Sequence, residues 1–102
     1  MDMEHHVYFW LNEERQNGTD RSVFEAGLEA LCKSPHIAES YWSQPANTPQ
    51  RPVTDHSWSY AISLKFETIE DHDRYQAGDA VHDTFIESFK EWWAKVLVMD
   101  LA

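Results

Sequence analysis

The chain has 102 residues and a formal net charge of −10, with 18 Asp and Glu against 8 Lys and Arg. That length suits a single domain with a modest core, which oligomerisation would help to complete. The acidic residues are spread along the chain, which argues against nucleic acid and anionic membrane surfaces as partners, because both call for a basic face.

No apolar run is long enough to span a bilayer. Met1 to Glu4 is acidic and carries no signal-peptide pattern, so a soluble cytoplasmic protein is expected. Cys32 is the single cysteine, which rules out an internal disulfide. It is expected as a small core residue on the apolar side of a helix rather than as a nucleophile.

His5 to Leu11 (HHVYFWL) is a dense run of strand formers. Its alternation puts Val7, Phe9 and Leu11 on one face and His6, Tyr8 and Trp10 on the other. A polar loop follows over residues 12–18. Thr19, Asp20 or Ser22 can cap the next helix, and Ser22 and Glu25 have the spacing of a capping box. Phe24, Leu28 and Leu31 then recur at helical spacing until Lys33-Ser34-Pro35 ends the helix.

His36 to Ser43 reads as a second, weaker strand. Residues 44–56 hold Pro45, Pro49 and Pro52 and form a long surface loop, a candidate lid or interaction loop. The clearest strand follows, with Trp58, Tyr60, Ile62, Leu64 and Phe66 alternating with smaller or polar residues. Glu67 to Ala77 is a short acidic helix capped by Thr68 and broken by Gly78-Asp79. Val81 to Trp93 is a further helix with Phe85, Phe89 and Trp92/Trp93 along one side. Val96 to Leu101 is the last strand.

The order β-α-β-β-α(α)-β predicts an α+β, ferredoxin-like fold: one four-stranded antiparallel sheet with helices on one face. The other face, bearing His6, Tyr8 and Trp10, has nothing in a 12.0 kDa chain to cover it. A second copy packed sheet to sheet is the simplest cover, giving a homodimer with those three residues in its interface.

Chemistry is expected around residues 75–85, where a phenol and an imidazole are placed beside apolar walls. His82 can serve as a general base, His5 can hold a tautomer or an oxyanion, and Tyr75 can donate to a developing enolate or alkoxide. A bland role competes: His82 could cap a helix start and bond to backbone. The candidate pocket walls are Val7, Phe9, Phe24, Leu28, Ile62, Leu64, Phe85 and Trp93. No HExxH or Cys/His pattern is present, so no metal is expected, and His72 with Asp71 and Asp73 reads as a solvated helix face. The chain has no Gly-rich phosphate loop and no local nucleophile arrangement, and no cofactor is expected.

The series His5-His6-Val7-Tyr8-Phe9-Trp10-Leu11, Pro45-Ala46-Asn47-Thr48, Asp55-His56-Ser57-Trp58-Ser59-Tyr60, Tyr75-Gln76, His82-Asp83-Thr84-Phe85 and Val96 to Asp100 resembles the stress-responsive dimeric α/β-barrel (Dabb) family. The likeness covers nearly all of residues 1–102 as one domain. It implies a homodimer whose two sheets form a barrel, with a cavity in each subunit between sheet and helices. Likeness to the family's plant polyketide cyclase implies His82 and Tyr75 as catalytic residues. It also implies His5, Val7, Phe9, Ile62 and Trp93 as pocket residues. The chain departs from the family by one extra residue at Gly78-Asp79-Ala80-Val81, which should swing Tyr75 away from His82.

Three functions fit. One is a cofactor-free binder or enzyme for a small carbonyl or polyketide-like molecule. Another is a non-enzymatic, stress-associated dimer. The third is an oxygenase-like relative of the dimeric barrels that bind haem or act on quinols.

Overall fold

Strand pairing begins with residues 3–11, and everything else is laid against them. The computed structural model describes residues 2–102. Its elements are β1 (Met3–Leu11), a 3-10 turn (Glu13–Arg15), α1 (Gly18–Leu31), β2 (Glu39–Ser43), β3 (Tyr60–Phe66), α2 (Ile69–Gln76), α3 (Ala80–Phe89) and β4 (Trp93–Leu101). The four strands form one antiparallel sheet in the order β2-β3-β1-β4. This is the ferredoxin-like α+β fold, with three α-helices. Among the described residues, no helix is long and apolar enough to cross a membrane.

β1 alternates as its sequence requires. Met3, His5, Val7, Phe9 and Leu11 are buried against the helices, while Glu4, His6, Tyr8 and Trp10 face outward. The core is a set of aromatic rings at edge-on and tilted angles. Phe24 lies with its ring centre 5.4 Å from Phe9, 5.3 Å from Tyr60 and 5.1 Å from Phe89. Such pairs add to the area term of burial. α1 and α3 pack closely because Gly27 has no side chain: a Cβ there would stand 2.3 Å from a Phe89 ring carbon.

Several element boundaries differ from the sequence reading. α1 starts earlier, with Asn17 as its cap. The Asn17 side chain accepts the Asp20 N–H at 2.9 Å, a role the Ser22–Glu25 spacing does not take. β2 is shorter, because Pro35 to Ala38 still belongs to the turn after α1. Trp58 lies outside β3, which begins at Tyr60. α3 ends at Phe89, so Trp92 and Trp93 are not helical. Lys90 caps the helix, Trp92 N–H bonds to the Phe89 carbonyl, and Trp93 opens β4. Cys32 is the C-terminal cap of α1 and half-buried, and burial raises its thiol pKa.

The loop after β2 does not close over the helical side. Trp58 stacks edge-on against Tyr8 at 5.4 Å, and the Trp10 indole donates to Ser57 Oγ at 2.9 Å. Both contacts are on the outer face of the sheet. There, Leu97 and Met99 of β4 stay exposed beside Tyr8 and Trp10, and Leu101 stays exposed beside Glu4.

Candidate functional site: a one-sided cavity over β1 and β4

The helices cover β1 and β3 but stop short of β4. Val96 and Val98 point to the helical side, opposite Phe9 and Val7, and remain 42% and 47% exposed. The space they border is a cavity of about 340 Å³. β1 supplies His5, Val7 and Phe9, β3 supplies Ile62, and the end of α1 supplies Leu31. The last turn of α2 adds Tyr75 and Gln76, and α3 adds His82, Phe85 and Ile86. Trp93 joins the wall because a break in register at Trp10/Leu11 starts β4 beside the Phe9 ring, 5.2 Å away.

The walls are apolar except for His5, Tyr75, Gln76 and His82. Tyr75 is buried, and its ring centre is 4.5 Å from that of His82 and 6.1 Å from that of His5. The extra residue therefore does not separate Tyr75 from His82. Gly78 absorbs it at φ +98°, a conformation that suits glycine, and α2 and α3 stay side by side.

Asp79 anchors this turn. Its buried carboxylate caps α3 by accepting the Val81 and His82 N–H groups at 2.8 and 3.1 Å. It also accepts from Ser34 Oγ and lies 2.8 Å from His36 Nδ1. Burial alone would raise its pKa, but these bonds outweigh burial and hold it at about 2. The helix cap is thus Asp79, and the His82 imidazole is not used for capping.

His82 is left with little to hold it. Its Nδ1 is buried without a hydrogen-bond partner, and Asp83 Oδ1 stands 3.8 Å away, beyond bonding range. Burial lowers its pKa against the pull of Asp83 and Asp79, which favours the neutral ring. Tyr75 is driven the other way: burial first, then the Asp79 charge, raise its pKa and keep the phenol protonated. His5 Nδ1 lies 2.5 Å from Asp100 Oδ1, and its Nε2 is 3.3 Å from the Gln76 amide nitrogen. This fits a neutral ring that donates to Asp100 and accepts from Gln76. Burial lowers the His5 pKa, opposed by Asp100.

Of the pocket walls expected from sequence, Val7, Phe9, Ile62, Phe85 and Trp93 border the cavity. Phe24, Leu28 and Leu64 do not; each is fully buried in solid packing behind it. Leu31, Gln76, Ile86, Val96 and Val98 border it and were not foreseen. Alternation along β4 could have found the two valines, since Val96, Val98 and Asp100 share a face.

The Stress responsive A/B Barrel Domain (Dabb) family matches residues 3–102. The chain belongs to the Dabb family. Solved structures of similar fold include a dimeric ferredoxin-like protein of unknown function from Thermobifida fusca. It is 13% identical, with a TM-score of 0.78 over 100% of this chain and 91% of that one. A hydroxynitrile lyase from Passiflora edulis is 16% identical, with a TM-score of 0.77 over 97% of this chain and 90% of that one. A Dabb family protein from Mesorhizobium loti is 15% identical, with a TM-score of 0.75 over 99% and 95%. No curated protein sequence matches. This Dabb chain thus shares its fold with proteins named as dimeric and with one named as an enzyme.

Proposed function

We propose that this Dabb protein is a homodimer that takes a small carbonyl or polyketide-like molecule into the cavity and moves a proton on it with His82. The observation that carries the reading is the state of His82. A buried polar nitrogen placed only for structure would have a hydrogen-bond partner. This one has none, and its ring faces a phenol at 4.5 Å beside an open apolar space.

The chemistry divides between two groups with opposite tendencies. The neutral imidazole of His82 can accept a proton from carbon next to a carbonyl. A shift of roughly 1 Å would bring Nδ1–H onto Asp83 and leave Nε2 as the base. Tyr75, held protonated, can donate to the oxygen on which charge develops. His5, fixed by Asp100 and Gln76, can help to orient the ligand. The apolar walls strengthen each polar contact by excluding water. Support for an enzymatic use of the fold comes from the Passiflora neighbour, a hydroxynitrile lyase.

The dimer rests on the outer sheet face, where Tyr8, Trp10, Leu97 and Met99 border one shallow apolar depression with Trp58. Dimeric ferredoxin-like neighbours support it.

The test is a panel of β-diketones, aromatic polyketide mimics and hydroxynitriles. Binding is followed by NMR of the cavity methyls and turnover by chromatography. Saturable binding that Val98→Trp abolishes, with turnover lost in His82→Asn while binding persists, is the expected result. Turnover unchanged in His82→Asn, or ligands that never perturb Val96 and Val98, would overturn the reading.

A further inference from the structure

Three side chains that no local motif connects meet near one end of the cavity. His5 comes from β1, His72 from α2 and Asp100 from β4. Each offers one ligand atom, and the three atoms lie within 4.8 Å of one another. Around one divalent transition ion, with bonds near 2.0–2.2 Å, ligand atoms stand roughly 3–4 Å apart. Small side-chain rotations bring this trio to that spacing.

The donor types point the same way. Two imidazoles and one carboxylate suit zinc and its first-row neighbours, whereas calcium and magnesium prefer oxygen alone. Three protein ligands also leave coordination positions open to water or a bound molecule.

Outer partners are in place for both histidines. His72 Nδ1 is 3.2 Å from Asp73 Oδ1, so donating there leaves Nε2 bare. Its side chain is not a solvated one: it is only 17% exposed, with its ring 5.1 Å from His5 and 5.5 Å from Phe66. If an ion takes His5 Nδ1, then Nε2 carries the proton, and turning the Gln76 amide presents its oxygen to that N–H. Partners of this kind fix the tautomer of ligating histidines. Asp100 lies on the edge strand with its side chain 48% exposed, which gives an ion a way in from solvent.

We propose that His5, His72 and Asp100 form a site for one divalent transition ion of the zinc type, at the His5 end of the cavity. The site shares His5 with the cavity but uses neither His82 nor Tyr75, so an ion can bind whether or not that pair moves a proton.

The test uses the full chain without an affinity tag, titrated with Co²⁺ alone and then with Zn²⁺, by calorimetry and visible spectroscopy. One equivalent of Co²⁺ should give d–d bands that Zn²⁺ abolishes. His72→Ala and Asp100→Ala should each weaken binding by more than the roughly 10–100-fold that loss of an outer partner causes. His6→Ala, which removes the neighbouring histidine on the opposite face of β1, should leave binding unchanged. His72→Gln is the substitute should His72→Ala fail to fold. Absence of stoichiometric binding at micromolar ion overturns the site. So does affinity that survives both the His72 and Asp100 substitutions, or that is lost with His6.

Discussion

Tyr75 and His82 stand ring to ring at 4.5 Å across the turn at Gly78, one on each of two consecutive helices. Seven positions separate them in sequence, yet they share one cavity wall. The turn sets this distance, so replacing Gly78 tests it. A residue with a Cβ is disfavoured at φ +98°, and Gly78→Ala should cost about 1 kcal/mol. Urea unfolding reads the cost. NMR contacts between the Tyr75 and His82 rings should weaken in parallel, and unchanged contacts with full stability would show that the turn does not hold the pair.

Asp79 should matter more than its exposed neighbours. Asp79→Ala removes the α3 cap and strands Ser34 and His36 without their acceptor. The loss should be about 2–3 kcal/mol in chemical denaturation, combining a cap with a buried polar network. Asp79→Asn keeps the cap geometry and should lose less.

Acid should destabilise the protein in two stages. His82 faces Tyr75 from α2 and Asp83 and Asp79 from its own helix end, with His5 nearby on β1. Its pKa is lowered from 6.5, so the unfolded chain binds the proton more readily, and stability contributed above pH 6.5 is lost as pH falls below it. Asp79 faces Ser34, His36 and the N–H groups of Val81 and His82. Its pKa is lowered from 3.8 to about 2, so a second loss falls between those values. Thermal melts across pH 2–8 should show both stages. His82→Asn should shrink the upper one, to which the lowered pKa of buried His5 also contributes, while leaving the lower one unchanged.

Gly27 allows close approach of α1 and α3. Gly27→Ala drives a methyl into the Phe89 ring and should cost about 1–3 kcal/mol despite the better helix propensity of alanine. Combining it with Phe89→Leu should cost less than the two changes summed, because the second creates room for the first.

Association through the outer face is best tested away from Trp10, where Lys95 Nζ sits 4.5 Å from the ring and would partner an introduced carboxylate. Leu97→Glu puts a charge beside Tyr8 in the middle of this face and should give a monomer by light scattering.

The sequence makes β1 legible because alternation of large residues is a local signal, and its faces fall as expected. Other boundaries depend on what the pattern leaves open. Phe85, Phe89 and Trp92 keep helical spacing past the true end of α3, but the chain turns at Lys90 and spends Trp93 on the sheet. Asn17 caps α1 although Ser22 has the more familiar spacing. The site was partly legible: His5, Tyr75 and His82 do converge on the cavity. Helical and strand periodicity cannot say which core residues border a void, and it does not distinguish Phe24, Leu28 and Leu64, which stand behind the wall, from the residues that form it. His72 shows the opposite limit. An acidic surround marks its helix as solvated, while tertiary packing turns its ring inward against His5 and Phe66.

β4 has consequences beyond its pairing with β1. Its even positions, Val96 and Val98, border the cavity, and its odd positions, Leu97 and Met99, border the depression on the outer face proposed for association. One edge strand is therefore a shared boundary. A guest that displaced it would change the free energy of the proposed subunit contact, and reciprocity would require that contact to change guest affinity by the same factor.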